Sequence, residues 1–252
     1  MSVLRFCLIW VGLVLVWQAV VWLTSVPSFI LPGPGETVQA LCRKWSLLLH
    51  HAGITLLEIS SGLFLGAVFG TCSALIMIAS VALKRWLLPV LVMSQAVPVF
   101  ALAPLLVLWL GYGLASKIAM AVLIIFFPVT AAFYDGLRST DPEWLELARV
   151  MDASPRAILY HIRIPAALPS FASGLRVAAA VAPIGAVVGE WVGSSSGLGF
   201  YMLHANARMQ TDLMFAALVL LVVMALGLYF FIDWSMRRAV YWKQSEIQEM
   251  EQ

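Results

Sequence analysis

The chain has 252 residues, of which 62% are hydrophobic and 11% charged, and its formal net charge is +2. With a mean hydropathy of +0.96, ten Trp and thirteen Phe, it is far more apolar than a water-soluble core of this length requires, which excludes an ordinary soluble enzyme and points to an integral membrane protein. The small positive balance gives no ground for a nucleic-acid partner.

Apolar runs long enough to cross a hydrocarbon layer about 30 Å thick lie at residues 6–26, 54–83, 86–110, 118–133, 168–192 and 213–232. They predict an all-α membrane protein of about six transmembrane helices, built as one integral domain over residues 1–252. The first run follows a lone Arg5 and leads into TSVPSFILPGPGE, which has no small-x-small cleavage site, so it is read as a retained helix. In the second, Gly62, Gly66 and Gly70 recur every four residues, a spacing that lets helix backbones approach closely in lipid. The third carries Pro89, Pro98 and Pro104, with Gln95 as its polar candidate for a translocation pathway.

Between the fourth and fifth runs, the stretch DPEWLELARVMDASPRAILYHIRIPAALPS gathers four carboxylates and three arginines. Trp144, Leu147, Ala148 and Met151 recur at i, i+3, i+4 and i+7, so they share one face of a short helix. Ser154 and Pro155 read as the N-cap and first-turn proline of a second helix, with Ile158, Leu159 and Ile162 as its apolar side. Pro165 and Pro169 are expected to end it before the fifth span. A helix-turn-helix tethered at both ends is built to project a rigid knob from the membrane; lying flat on the lipid surface and serving as a solvated connector are the alternatives.

In the fifth run Glu190 is the ionisable residue set deepest among apolar neighbours, and a charge there must face a cavity, a partner or the interface. It is the second candidate pathway residue, while Arg176 is expected to snorkel to the membrane surface. GSSSG at residues 193–197 formally satisfies G-x-S-x-G, with His204 and Asp212 following, which raises a membrane-bound serine hydrolase as an alternative; that motif needs a strand-turn-helix elbow. Cys7, Cys42 and Cys72 are odd in number and widely spaced, and His50, His51 and His161 lack ligand spacing, so no disulfide, metal site or histidine site is expected.

Placing both termini in the cytoplasm puts Arg5, Lys84, Arg85, Arg138, Arg149, Arg156, Arg163, Arg237, Arg238 and Lys243 inside, and only Arg43, Lys44, Lys117 and Arg208 outside. This asymmetry follows the positive-inside rule and places the charged loop in the cytoplasm.

Residues 146–169 resemble the "EAA" loop of permease subunits in binding-protein-dependent ABC importers. Glu146, Ala148, Ala153, Ser154, Ile162, Pro165 and Pro169 match its pattern, Leu147 departs from it, and Asp152 stands where Gly is usual. Asp tolerates the positive φ of such a turn better than most residues. LPGPGET, VPVFALAPLLVLWLGYG at 97–113 and GEWVGSSSGLGFYMLHANARMQTD at 189–212 are similar to the subgroup importing nitrate, sulfonates, taurine and thiamine precursors, and most of all to hydroxymethylpyrimidine permeases.

The resemblance implies that the loop, about residues 135–167, docks on a cytoplasmic ATPase subunit through Glu146, Ala148, Arg149, Asp152, Ala153, Ser154, Pro155 and Ile158. It also implies a bacterial inner-membrane location, a second permease copy and an extracytoplasmic substrate-binding protein. The chain has no G-x-x-x-x-G-K-[ST] phosphate loop, so no cofactor is expected on it and ATP is used by the partner subunit. A channel or secondary transporter working without an ATPase is a further alternative, against which few buried charges and no conspicuous inverted repeat argue.

Overall fold

The computed structural model describes residues 3–242; Lys243, counted among the inside charges, lies outside them. Among the described residues every regular element is helical. In chain order they are α1 (Val3–Thr24), α2 (Pro34–Arg43), α3 (Trp45–Ala79), α4 (Val81–Ala96), α5 (Val99–Leu110), α6 (Leu114–Arg138), α7 (Pro142–Val150), α8 (Pro155–Ile158), α9 (Ile164–Gly193), α10 (Leu198–Ala207) and α11 (Thr211–Ala239).

Four helical segments are long and apolar enough to cross a membrane: α3, α6, the run Pro155–Gly193, and α11. The pair α4 and α5 is together apolar and long enough for a fifth crossing but is bent by 102°, the geometry of a broken span or a re-entrant loop. With α1, whose apolar part is Leu8–Thr24, these segments fall on the six expected runs, and the chain is a multi-pass membrane protein.

Three local details differ from expectation. The third run is two helices, because Pro98 has no N–H and forces Val97 into an extended conformation, φ −89° and ψ 117°. The α8 helix does not stop at Pro165; it passes through a π turn over Leu159–Arg163 into α9, giving one rod of 39 residues. The wide turn bonds Ile164 N–H to the carbonyl of Leu159, which accommodates the missing donor of Pro165 without breaking the rod. Two helices also stand in the loops: α2, whose Glu36 carboxylate accepts from Gly33 N at 3.2 Å as a capping box, and α10.

Packing centres on α6. A Cβ added to Gly62, Gly66 or Gly70 of α3 would run into Ala121, Ile125 or Val129 of α6, so the four-residue period is a seam of backbone contact. Gly174, Gly185 and Gly189 of α9 close in the same way on Ala132, Ala121 and Lys117 of α6. Between these seams Ile59, Leu63, Ile125, Leu175 and the alanines 178, 179, 182 and 186 form the central apolar cluster. The α3–α6–α9 unit holds the candidate functional residues at its two ends: α7 and α8 at one, α10 at the other.

Candidate functional site

At the α7 end, Asp141 caps the first helix by accepting from Glu143 N at 2.9 Å, and Ser154 caps the second by accepting from Ala157 N at 3.2 Å. The turn between them is a Schellman motif: Ala153 N–H donates to Ala148 O and Asp152 N–H to Arg149 O, both at 3.0 Å. Asp152 has φ +53°, the left-handed conformation for which glycine is the usual choice.

Glu146, Arg149, Asp152, Ser154 and Pro155 are exposed, Ala153 and Ile158 half-buried, and Ala148 buried against its own loop. Neither Glu146 nor Arg149 takes part in an ion pair among the described residues, so both charges are available to another surface. Trp144, Leu147, Ala148 and Met151 line one wall of a groove of about 750 Å³ whose other wall is Ile162, Pro165, Ala166 and Pro169. Trp144 and Met151 nonetheless remain 54% and 73% exposed. The helix-turn-helix is therefore a capped knob with solvated charges and uncovered apolar side chains.

At the α10 end lies a buried polar cluster of which the sequence reading identified only Glu190. The N-terminus of a helix leaves four backbone N–H groups without partners, and here side chains of α3 and α9 meet all four. Gly197 N–H donates to His51 Nδ1 at 3.1 Å, and Leu198 N–H to Thr55 Oγ1 at 2.8 Å. Gly199 and Phe200 N–H donate to Glu190 Oε2 at 2.5 and 3.3 Å, while the Thr55 hydroxyl donates to Glu190 Oε1 at 2.6 Å. A carboxylate placed on a helix N-terminus is also favoured by the helix dipole.

Glycine is required where the carboxylate sits. Gly197 has φ +107°, and a Cβ on Gly199 would come within 2.8 Å of Glu190 Oε2. Glu190 is itself 1% exposed.

One turn further along α3, Glu58 is fully buried and pairs with Lys117 Nζ at 3.0 Å. Neither Glu58 oxygen has a well-aligned hydrogen bond, so the ion pair is its principal compensation. Glu58, Lys117 and Glu190 are all at most 5% exposed. Lys117 stands in the first turn of α6 with its stem against Gly189, rather than in a loop, and His51 has a partner. The readable signal was the spacing of His51, Thr55 and Glu58 at i, i+4 and i+7, which places them on one face of α3.

The remaining singled-out residues lie elsewhere. Gln95 is exposed in the last turn of α4, beside the break at Pro98, with only Ser94 Oγ in reach at 3.5 Å. Arg176 does not snorkel alone; its Nε pairs with Asp233 Oδ1 of α11 at 2.7 Å, and Asp233 also accepts from Arg237 at 2.8 Å. Ser195 is exposed in a helix-to-helix loop, and no hydrogen bond among the described residues joins it to His204 or Asp212. His, Cys, Asp and Glu form no metal-binding group among the described residues.

Residues 62–240 match the family described as "Binding-protein-dependent transport system inner membrane component". A Haemophilus influenzae protein named "Probable ABC transporter permease protein" is 59% identical, over 91% of this chain and 94% of its own length. The formylaminopyrimidine transport permease protein ThiX of Halalkalibacterium halodurans is 39% identical, over 85% of this chain and 86% of its own. The riboflavin transport system permease protein RibX of Chloroflexus aurantiacus is also 39% identical, over 92% and 88%. Among solved structures, a chain of the inward-facing MetNI methionine ABC transporter superposes with a TM-score of 0.68, at 22% identity, covering 79% of this chain and 98% of that one; this likeness concerns the fold.

Proposed function

Because this chain belongs to the binding-protein-dependent transport system inner membrane components, and is a transport subunit of an ABC importer, we propose that it works as one of two identical copies around a pathway for a small heteroaromatic solute, a pyrimidine precursor of thiamine. The observation that carries the reading is the uncovered helix-turn-helix of α7 and α8, with Glu146 and Arg149 in no ion pair among the described residues. It docks on a cytoplasmic ATPase subunit, both termini face the cytoplasm, and α10 lies on the outer side near the substrate-binding protein. The chain binds no cofactor, and ATP is used by the partner subunit. The basic residues at the α7 end support this orientation.

Closure of the ATPase pair drives the two knobs together and shifts the spans between inward-open and outward-open arrangements. The chain bends by 102° between α4 and α5, beside exposed Gln95, and interrupted helices in membranes are tolerated where they line a cavity or are covered by protein. Gln95 is accordingly the pathway residue of choice. Glu190 acts there indirectly, through α10.

The pyrimidine assignment rests on the resemblance of 189–212 and on the named transport of ThiX. It is tested by uptake of labelled hydroxymethylpyrimidine in a strain lacking other routes, with riboflavin, taurine, other sulfonates and nitrate as competitors. Loss of pyrimidine uptake on deleting this subunit is the expected result; unchanged uptake refutes the assignment, and competition by one of the other solutes reassigns it. Ser195→Ala leaves uptake intact on this reading, whereas a serine-reactive label lost in that variant would favour the hydrolase.

A further inference from the structure

The knob and the α10 clip are joined by a single helical rod. From Pro155, just after the Schellman turn, to Gly193 the chain is helical for 39 residues, a length of about 58 Å. Glu190 sits in the last turn of that rod and holds two of the four N-terminal amides of α10. The other two amides are held by α3, which is bound to α6 along its glycine seam. The far end of α10 runs into α11, whose first residue Thr211 donates to Ser28 O at 3.0 Å. Between these anchors the backbone turns at Gly197 in a conformation open to glycine.

We propose that Glu190 is a positioning residue for transport: it is the output end of the α8–α9 rod, and through its carboxylate a displacement of the α7–α8 knob is delivered to α10 on the opposite face. The Glu58–Lys117 pair beside it locks α3 to α6, and Gly185 and Gly189 of the rod close against α6, so that these three helices move together and α10 moves against α11 and α2. This rests on the reading of α7 and α8 as the docking knob.

The test uses the whole transporter, with its ATPase subunit and binding protein, in lipid vesicles. Exposed Asn206 on α10 is changed to Cys after Cys7, Cys42 and Cys72 are replaced by Ser. Its modification by a membrane-impermeant maleimide is timed without nucleotide and after trapping with ATP and vanadate. With Glu190 intact, the labelling rate is expected to change severalfold between the two states. Glu190→Ala should remove the difference while vanadate still traps nucleotide, and Glu190→Asp should restore part of it.

Thr55→Val, close in shape, removes both the acceptor of Leu198 N–H and the donor to Glu190 Oε1 and should lower the number of solutes moved per ATP by about tenfold or more. It keeps the test open if Glu190→Ala does not fold. Equal labelling in both states with the ATPase bound overturns the proposal and leaves docking standing. A state dependence that survives Glu190→Ala overturns it too. Absence of an ATPase from the purified complex overturns the docking reading itself, and is seen before any labelling begins.

Discussion

Substituting Gly197 by Ala separates the α10 clip from ordinary loop packing. Gly197 has φ +107° and ψ 164°, a region occupied almost solely by glycine, so alanine there costs about 1 to 3 kcal/mol. The added Cβ also falls on the Glu190 carboxylate, which must then release at least one amide. A hydrogen bond to a charged group is worth about 1.5 to 3 kcal/mol, so the sum is about 2.5 to 6 kcal/mol, a large part of a typical folding stability. In a thermal scan of the purified protein, followed by tryptophan fluorescence, this lowers the midpoint by at least about 5 °C at roughly 2 °C per kcal/mol. Gly53→Ala is the control: it lies inside α3, exposed, with nothing within 4 Å of an added Cβ, and should gain about 0.5 to 1 kcal/mol from helix propensity. A Gly197→Ala protein that melts with wild type, or with Gly53→Ala, would refute the account of the clip.

Lys117→Met strands the buried Glu58 carboxylate and should destabilise by about 3 to 5 kcal/mol, whereas adding Glu58→Met should recover most of the loss; a double-mutant cycle on the melting midpoint measures the coupling, and additive effects would contradict the pair. Asp152→Gly should leave stability within about 0.5 kcal/mol of wild type, because relief of the left-handed strain is offset by the entropy of glycine. Asp152→Val places a β-branched residue at φ +53° and should lose about 1 to 2 kcal/mol and weaken ATPase capture; the two midpoints and a pull-down decide it.

The parts legible in the sequence were those set by composition and local geometry. Apolar runs located the spans, the period of Gly62, Gly66 and Gly70 located the α3–α6 seam, and Ser154 with Pro155 located a helix start that the backbone adopts. Proline misled twice, in opposite senses. Pro98 breaks its span because the residue before it has gone extended, while Pro165 does not, because a π turn absorbs the lost donor. A proline marks where a helix is vulnerable, and the neighbouring turns decide whether it ends. The polar cluster was hidden for another reason. Glu190 is 135 positions from Thr55, and Lys117 lies at an interface edge where a loop residue and a first-turn residue read alike. The HxxxTxxE face of α3 was visible, but nothing local says that its partner is a helix N-terminus.

The most direct measurement is capture of the tagged chain in mild detergent from its native host, with identification of what comes down beside it. An ATPase subunit should accompany the wild-type chain and be weakened by the double change Glu146→Arg, Arg149→Glu. No ATPase under conditions that preserve complexes, or capture unaffected by the double change, would contradict the assignment of α7 and α8 as the docking knob.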